Sequence, residues 1–221
     1  MISLENLTVI YGRTLALDAI SPDIRPGVTG LFGPNGAGKS TLLRAVAGLI
    51  RSTRGSISID GTPVDLRSEG TRGRIGYAGH EPGLYLDLSV EENLELFRGL
   101  YGAPARRVVE VIEEVGLEQR RAVRVRELSA GFKRRAAVAR ALLHEPDVLL
   151  LDEPYANLDD DASDKLSSAI KGWSGSHRYA LIATHGAKRV KSFADAGIII
   201  QRGRVISYRV RSEDSAEEIP V

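Results

Sequence analysis

The octapeptide Gly33-Pro34-Asn35-Gly36-Ala37-Gly38-Lys39-Ser40 constrains this chain more than any other feature. It matches G-x-x-x-x-G-K-[ST], a loop whose glycines let backbone amides turn inward around phosphate groups with no Cβ in the way. Lys39 would bring a point charge to the outer phosphates, and the Ser40 hydroxyl is a candidate Mg²⁺ ligand. The pattern makes sense only between a strand and a helix. Residues 28–32 read as a short apolar strand running into the loop. Residues 39–49 read as a helix with Leu42, Leu43, Val46 and Leu49 on its buried side. The positive end of that helix dipole adds to the phosphate site. A chance match in a chain of this length is on the order of 1% or less, so nucleotide binding follows from the motif and its context.

A second chemical feature lies at the end of an apolar run. Residues 148–151 have strand length and lead into Asp152 and Glu153. A strand buried on both faces holds its C-terminal end rigidly where doubly wound sheets bind ligands. Asp152 is then placed to hold Mg²⁺ through water, and Glu153 to orient or deprotonate an attacking water. Alone, the pair would also read as a solvated acidic turn. Beside a phosphate loop it reads as a hydrolytic pair.

The remaining pattern sets the architecture. Ile2, Leu4, Leu7 and Val9, then Leu15, Leu17, Ile20 and Ile24, are spaced as half-buried strands with turns at Gly12-Arg13 and Ser21-Pro22. Residues 55–61 alternate as another strand. From about 86 to 142 the period becomes helical, with Ser89 as a helix start, a helix over 106–115 and a very basic one over 129–143. Strand and helix alternate again over 148–151, 160–170, 178–183, 187–193 and 197–201. This predicts an α/β fold: a mostly parallel sheet with covering helices, an N-terminal antiparallel β region and an inserted helical subdomain. The expected organisation is one domain over 1–221, with core segments at about 1–85 and 145–210 and the helical subdomain at about 86–144. The polar tail 211–221 is expected to fray.

Composition narrows the function classes. With 221 residues, 43% hydrophobic and 27% charged, the chain is an ordinary globular one, and a net charge of +1 gives no global nucleic-acid signature. Absence of cysteine excludes disulfides and thiolate chemistry. Residues 1–6 hold no basic stretch followed by an apolar run, so no secretory signal is expected. No segment approaches the roughly 20 apolar residues that cross a bilayer. The runs around Arg120, Arg121, Arg124 and Arg126 and around Lys133, Arg134 and Arg135 read as a solvated helical face. Without interleaved aromatics they do not suggest nucleic acid. His144 and His177 lack metal-ligand spacing.

Taken in order, these motifs resemble the ABC ATPase family over nearly the whole chain. Tyr11 stands where the family places an aromatic ring on adenine, and Ser40-Thr41 closes the phosphate loop. Leu128-Ser129-Ala130-Gly131-Phe132-Lys133-Arg134-Arg135 is similar to the signature motif, usually LSGGQ. Asp152-Glu153-Pro154 and Asn157-Leu158-Asp159 resemble the catalytic segment and the D-loop, and His185 the switch histidine. The resemblance implies a P-loop NTPase core binding ATP and Mg²⁺. It also implies that Ser129, Ala130 and Gly131 of a second copy contact the γ-phosphate, with hydrolysis depending on Glu153, His185 and Lys39. Two departures stand out. His80 takes the place of the Q-loop glutamine and is a weak candidate near the metal, and Ala130 and Phe132 replace Gly and Gln.

The implied role is an ATP-hydrolysing subunit of a transporter, working as a homodimer on a separate integral membrane subunit. It would sit in the cytoplasm, attached to the inner face of the membrane through that partner, with no nucleic acid bound. In detail, Gly79-His80-Glu81-Pro82-Gly83, Asp152-Glu153-Pro154-Tyr155 and Ala183-Thr184-His185-Gly186 resemble the haem exporter ATPases of cytochrome c maturation. The alternative is a non-transport ATPase of the family, serving cofactor assembly or acting as a nucleotide sensor.

Overall fold

A computed structural model describes residues 1–65, 68–175 and 177–211; the expected frayed tail lies almost wholly outside them. The chain opens with β1 (Ile2–Tyr11), β2 (Thr14–Ile20), β3 (Asp23–Ile24) and β4 (Gly27–Phe32), followed by α1 (Lys39–Val46), β5 (Arg54–Ile59) and β6 (Thr62–Pro63). Next come α2 (Glu69–Arg74), β7 (Ile75–Ala78), α3 (Val90–Tyr101), α4 (Arg106–Glu114) and α5 (Ala130–Leu142). The chain then alternates: β8 (Val148–Asp152), α6 (Asp160–Trp173), β9 (Tyr179–Ala183), α7 (Ala187–Lys191), β10 (Ala196–Gln201) and β11 (Arg204–Val210).

Two sheets result. The larger has the order β11-β10-β4-β9-β8-β7 and is parallel except for the β11 edge. The smaller, antiparallel sheet runs β2-β1-β5-β6 with β3 also on β1. The α/β reading therefore holds, N-terminal antiparallel region included. β8 is apolar from Val148 to Leu151 because both its faces are covered. Leu149 and Leu151 enter the core that α3–α5 share, whereas Val148 and Leu150 enter the core under α1. Alternate residues of β9 divide in the same way, with Ala180 and Ile182 on one side and Leu181 and Ala183 on the other. This is the period-two geometry of a strand inside a parallel sheet.

Helix α1 ends earlier than expected. Gly48 adopts φ +69°, its amide donates to Ala45 O and that of Leu49 to Arg44 O, which closes the helix in a Schellman turn. Leu49, expected in the core, is 54% exposed as a result. Leu15, expected to be half-buried, is exposed at 46%. The helical layer begins with a capping box: Ser89 Oγ accepts from the Glu92 amide, and the Glu92 carboxylate from the Ser89 amide. Asn93, fully buried, ties the preceding loop to α3. Its Oδ1 accepts from the Tyr85 amide at 2.8 Å, and its Nδ2 donates to Tyr85 O at 2.9 Å.

The link from α5 to β8 carries a half-buried histidine. The ring of His144 stacks on Tyr101 at the end of α3, with centroids 4.0 Å apart. Burial pushes its pKa down to about 4, with the Arg140 charge adding to the effect. In the unfolded chain the group titrates near ~6.5. Because it takes up its proton only on unfolding, its contribution is complete above pH ~6.5 and is lost as pH falls through the folded value. We expect this group to remove about 2 kcal/mol of stability between pH ~7 and ~4. Denaturant unfolding at both pH values should show that drop in the wild type and a smaller one in His144→Phe. Equal drops would contradict the assignment.

Candidate functional site

The parallel order of the larger sheet brings three strand ends together. Leu31 of β4 pairs with Ala183 of β9, and Asp152 of β8 pairs with Ala183 from the other side. The loop after β4, the acid pair after β8 and Thr184-His185 after β9 therefore converge. The first two border a cavity of about 420 Å³ whose lining includes residues 35–41, His80, Asp152 and Glu153; Thr184 and His185 meet it through their hydrogen bonds to Glu153.

The phosphate loop has the backbone its glycines suggest. Gly33 (φ +139°) and Gly38 (φ +111°) lie where a Cβ would meet Ile200 O at 2.1 Å and Ala16 O at 2.7 Å. Lys39 is 7% exposed, and its Nζ donates to Gly33 O at 2.7 Å and to Pro34 O at 3.1 Å, so the ammonium spans the loop. No acidic side chain occupies the first turn of α1, which leaves its N-terminal amides and dipole free to act on an anion. Asn35, Gly36, Ala37, Gly38, Ser40 and Thr41 line the cavity, whereas Gly33 and Pro34 lie behind it as the lysine's acceptors. Tyr11 is 45% exposed at the end of β1 and outside the lining; Thr14, Leu15 and Ala16 of the same hairpin are in it.

Asp152 is buried at 3% exposure, and its carboxylate shares the cavity with Ser40. Glu153 follows in a left-handed conformation, φ +51°, unusual for a residue with a Cβ. Its amide donates to Ala183 O at 2.8 Å. Its Oε1 accepts from the His185 amide and lies 2.9 Å from His185 Nδ1, and its Oε2 accepts from Thr184 Oγ1 at 3.1 Å. A backbone amide, a hydroxyl and an imidazole thus aim the carboxylate. This arrangement can hold a water-polarising base in one orientation. Asp159 serves as the N-cap of α6, with Oδ1 accepting from the Ala162 amide at 2.8 Å.

Ser129 caps α5, and both it and Ala130 are exposed and outside the cavity of their own chain. The first turn of α5 has no acidic residue. The ring of Phe132 lies near the guanidinium groups of Arg135 (4.6 Å) and Arg120 (5.4 Å). Ala130 projects into solvent and tolerates its methyl, but Gly131 is closely pressed, since a Cβ there would be 2.4 Å from Asn157 O.

The basic residues read as a solvated face are a correction. Arg134 is 7% exposed and donates to Gly79 O and Asp152 O. Arg135 donates to Val115 O and Gly116 O, and Lys133 to Arg126 O. Only the earlier run behaves as a surface, with Arg121 paired to Glu91 and Arg126 to Asp87. Sequence reasoning also missed Arg44 and Thr184. Arg44 lines the cavity, and its pKa is raised chiefly by a hydrogen bond to Tyr77. Its position four residues after Ser40 was the available signal, because residues one helical turn apart share a helix face.

With this geometry in view, relatives can be compared. The family model for ABC transporters matches residues 17–156. The Nod factor export ATP-binding protein I of Cupriavidus metallidurans is 34% identical over 212 residues, covering 94% of this chain and 70% of that protein. The linearmycin resistance ATP-binding protein LnrL of Bacillus subtilis is 30% identical over 218 residues, covering 96% and 70%. A dimeric ATP-binding cassette solved in a post-hydrolysis state with ADP and Pi bound has a TM-score of 0.88 at 26% identity, covering 96% of this chain and 100% of that one. The chain belongs to the ABC transporter family, as an ATP-hydrolysing nucleotide-binding subunit.

Proposed function

We propose that two copies of this chain enclose ATP between the Lys39 loop of one and the Ser129 end of α5 of the other. The observation that carries this reading is the exposed, acid-free end of α5, which lies outside its own chain's cavity. Such a helix terminus attracts the outer phosphate of a nucleotide held by a second copy. The related cassette bound to ADP and Pi is itself dimeric.

Within each site, Lys39 and the amides of 35–41 hold the β- and γ-phosphates, and Tyr11 contacts the base. Glu153 orients and deprotonates the attacking water, with Thr184 and His185 fixing its carboxylate. Ser40 and Asp152 are the donors a magnesium ion would use; they are hard oxygen ligands sharing one cavity. His80 borders the same space as a weaker candidate. When bound, the ion would neutralise phosphate charge. Asp159 belongs to the segment that meets the second copy.

We further propose a separate integral membrane subunit as the moving part, with this chain attached through it at the cytoplasmic face. No helix among the described residues is long and apolar enough to cross a membrane. Tyr85 (57%) and Leu86 (56%) are exposed in the loop that follows His80, and Leu100 (71%) is exposed on α3, apolar groups suited to a protein partner. The direction we propose is export, which the printed name of the Nod factor relative supports. Haem as cargo rests only on the motif resemblance of residues 79–83, 152–155 and 183–186.

Two variants test the site. Glu153→Gln is expected to lower turnover by about 100-fold or more, keep ATP affinity and accumulate an ATP-dependent dimer in size analysis. Monomers throughout would contradict the composite site. Lys39→Ala is expected to weaken ATP binding by about 100-fold, or ~2.7 kcal/mol, in a direct titration. Unchanged affinity would break the assignment of the loop.

A further inference from the structure

Arg134 carries a charge in an unusual place. It lies on the second turn of α5, buried, and burial lowers its pKa while the charges of Asp152 and Glu153 act in the opposite direction. Among the described residues no carboxylate is hydrogen-bonded to it; its Nη1 donates instead to two backbone carbonyls, Gly79 O at 2.6 Å and Asp152 O at 3.3 Å. A buried guanidinium satisfied this way is costly to keep for packing alone.

The two carbonyls are informative. Gly79 immediately precedes His80. The Asp152 carbonyl belongs to the peptide unit whose N–H is that of Glu153, and that N–H is held by Ala183 O at 2.8 Å. Arg134 from one side and β9 from the other therefore grip a single peptide plane. Beyond that plane, Glu153 adopts the left-handed φ of +51°, a conformation that persists only when its surroundings over-determine it. The same helix presses on the segment leading to Asp159, through the close approach of Gly131 to Asn157 O.

We propose that Arg134 is a positioning residue for hydrolysis, making the orientation of Glu153 and the placement of His80 depend on where α5 sits. Engagement of the Ser129 end of α5 by a second copy's nucleotide is thereby transmitted to the subunit's own catalytic carboxylate. This rests on the composite-site reading above. Arg134 itself touches neither substrate nor metal.

The test compares Arg134→Met, Arg134→Lys and wild type at saturating Mg-ATP. Arg134→Met is expected to lose at least about tenfold in kcat while its ATP Kd stays within about twofold, a split that simple destabilisation does not produce. Arg134→Lys, which keeps a charged donor, is expected to recover part of that loss. The double variant Arg134→Met, Glu153→Gln is expected still to form the ATP-dependent dimer. Turnover of Arg134→Met within twofold of wild type would overturn the proposal. So would ATP affinity falling in step with kcat, or a double variant that no longer dimerises where Glu153→Gln alone does. If Arg134→Met does not fold, Arg134→Gln is judged by the same criteria. A wild type with no turnover, or a Glu153→Gln protein that stays monomeric, would instead overturn the underlying reading and this inference with it.

Discussion

The register of β9 between β4 and β8 is the constraint on which the rest of the structure depends. Ala183 is matched with Leu31 on one side and Asp152 on the other, so three chain segments leave the sheet at one level. A one-residue slip in either pairing would turn every side chain of the slipped strand to the opposite face. The apolar demands of two separate cores forbid that slip, because Leu149 and Leu151 serve one and Val148 and Leu150 the other. Core packing thus sets the geometry of the site: backbone carbonyls hold Lys39, while the His185 amide and ring and the Thr184 hydroxyl hold Glu153.

Helix α5 has a double character on this view. Its exposed end carries Ser129 and Ala130, and its buried side reaches Asn157, Asp152 and Gly79. An element that is free at one tip and tightly packed along its length can convey a small displacement, because close-packed interiors transmit strain rather than absorb it. The Phe132 ring, near the guanidinium groups of Arg120 and Arg135, stiffens the same helix from its flank.

Much of this was readable from residue order, and the parts that were not have physical reasons. The phosphate loop, the β8 run with its acid pair and the capped starts of α3 and α5 were clear because local chemistry dictates them. β7 escaped notice because its four residues include Gly76, where a Cβ would meet Ala141 O at 2.1 Å, so it lacks the composition of a strand. β11 is an edge strand with no fully buried face. Leu49 was misassigned because helical periodicity says nothing of the Gly48 turn that ends α1. Arg134 was read as solvated because its partners are carbonyls at Gly79 and Asp152, distant in sequence and invisible to charge patterning. Thr184 entered the sequence reading only as a neighbour of His185; its hydrogen bond to Glu153 follows from where β9 ends.

The absence of cysteine offers a direct test of the composite site. In a double variant, Asn35→Cys with Ser129→Cys, both positions are exposed and each would be the only thiol on its element. Mild oxidation with ATP present should give a covalent dimer linked from the Cys at 35 of one copy to the Cys at 129 of the other, and much less of it without nucleotide. If ATP leaves the protein uncrosslinked, or linked only within one chain, the phosphate loop and the end of α5 do not meet across two copies and the account fails.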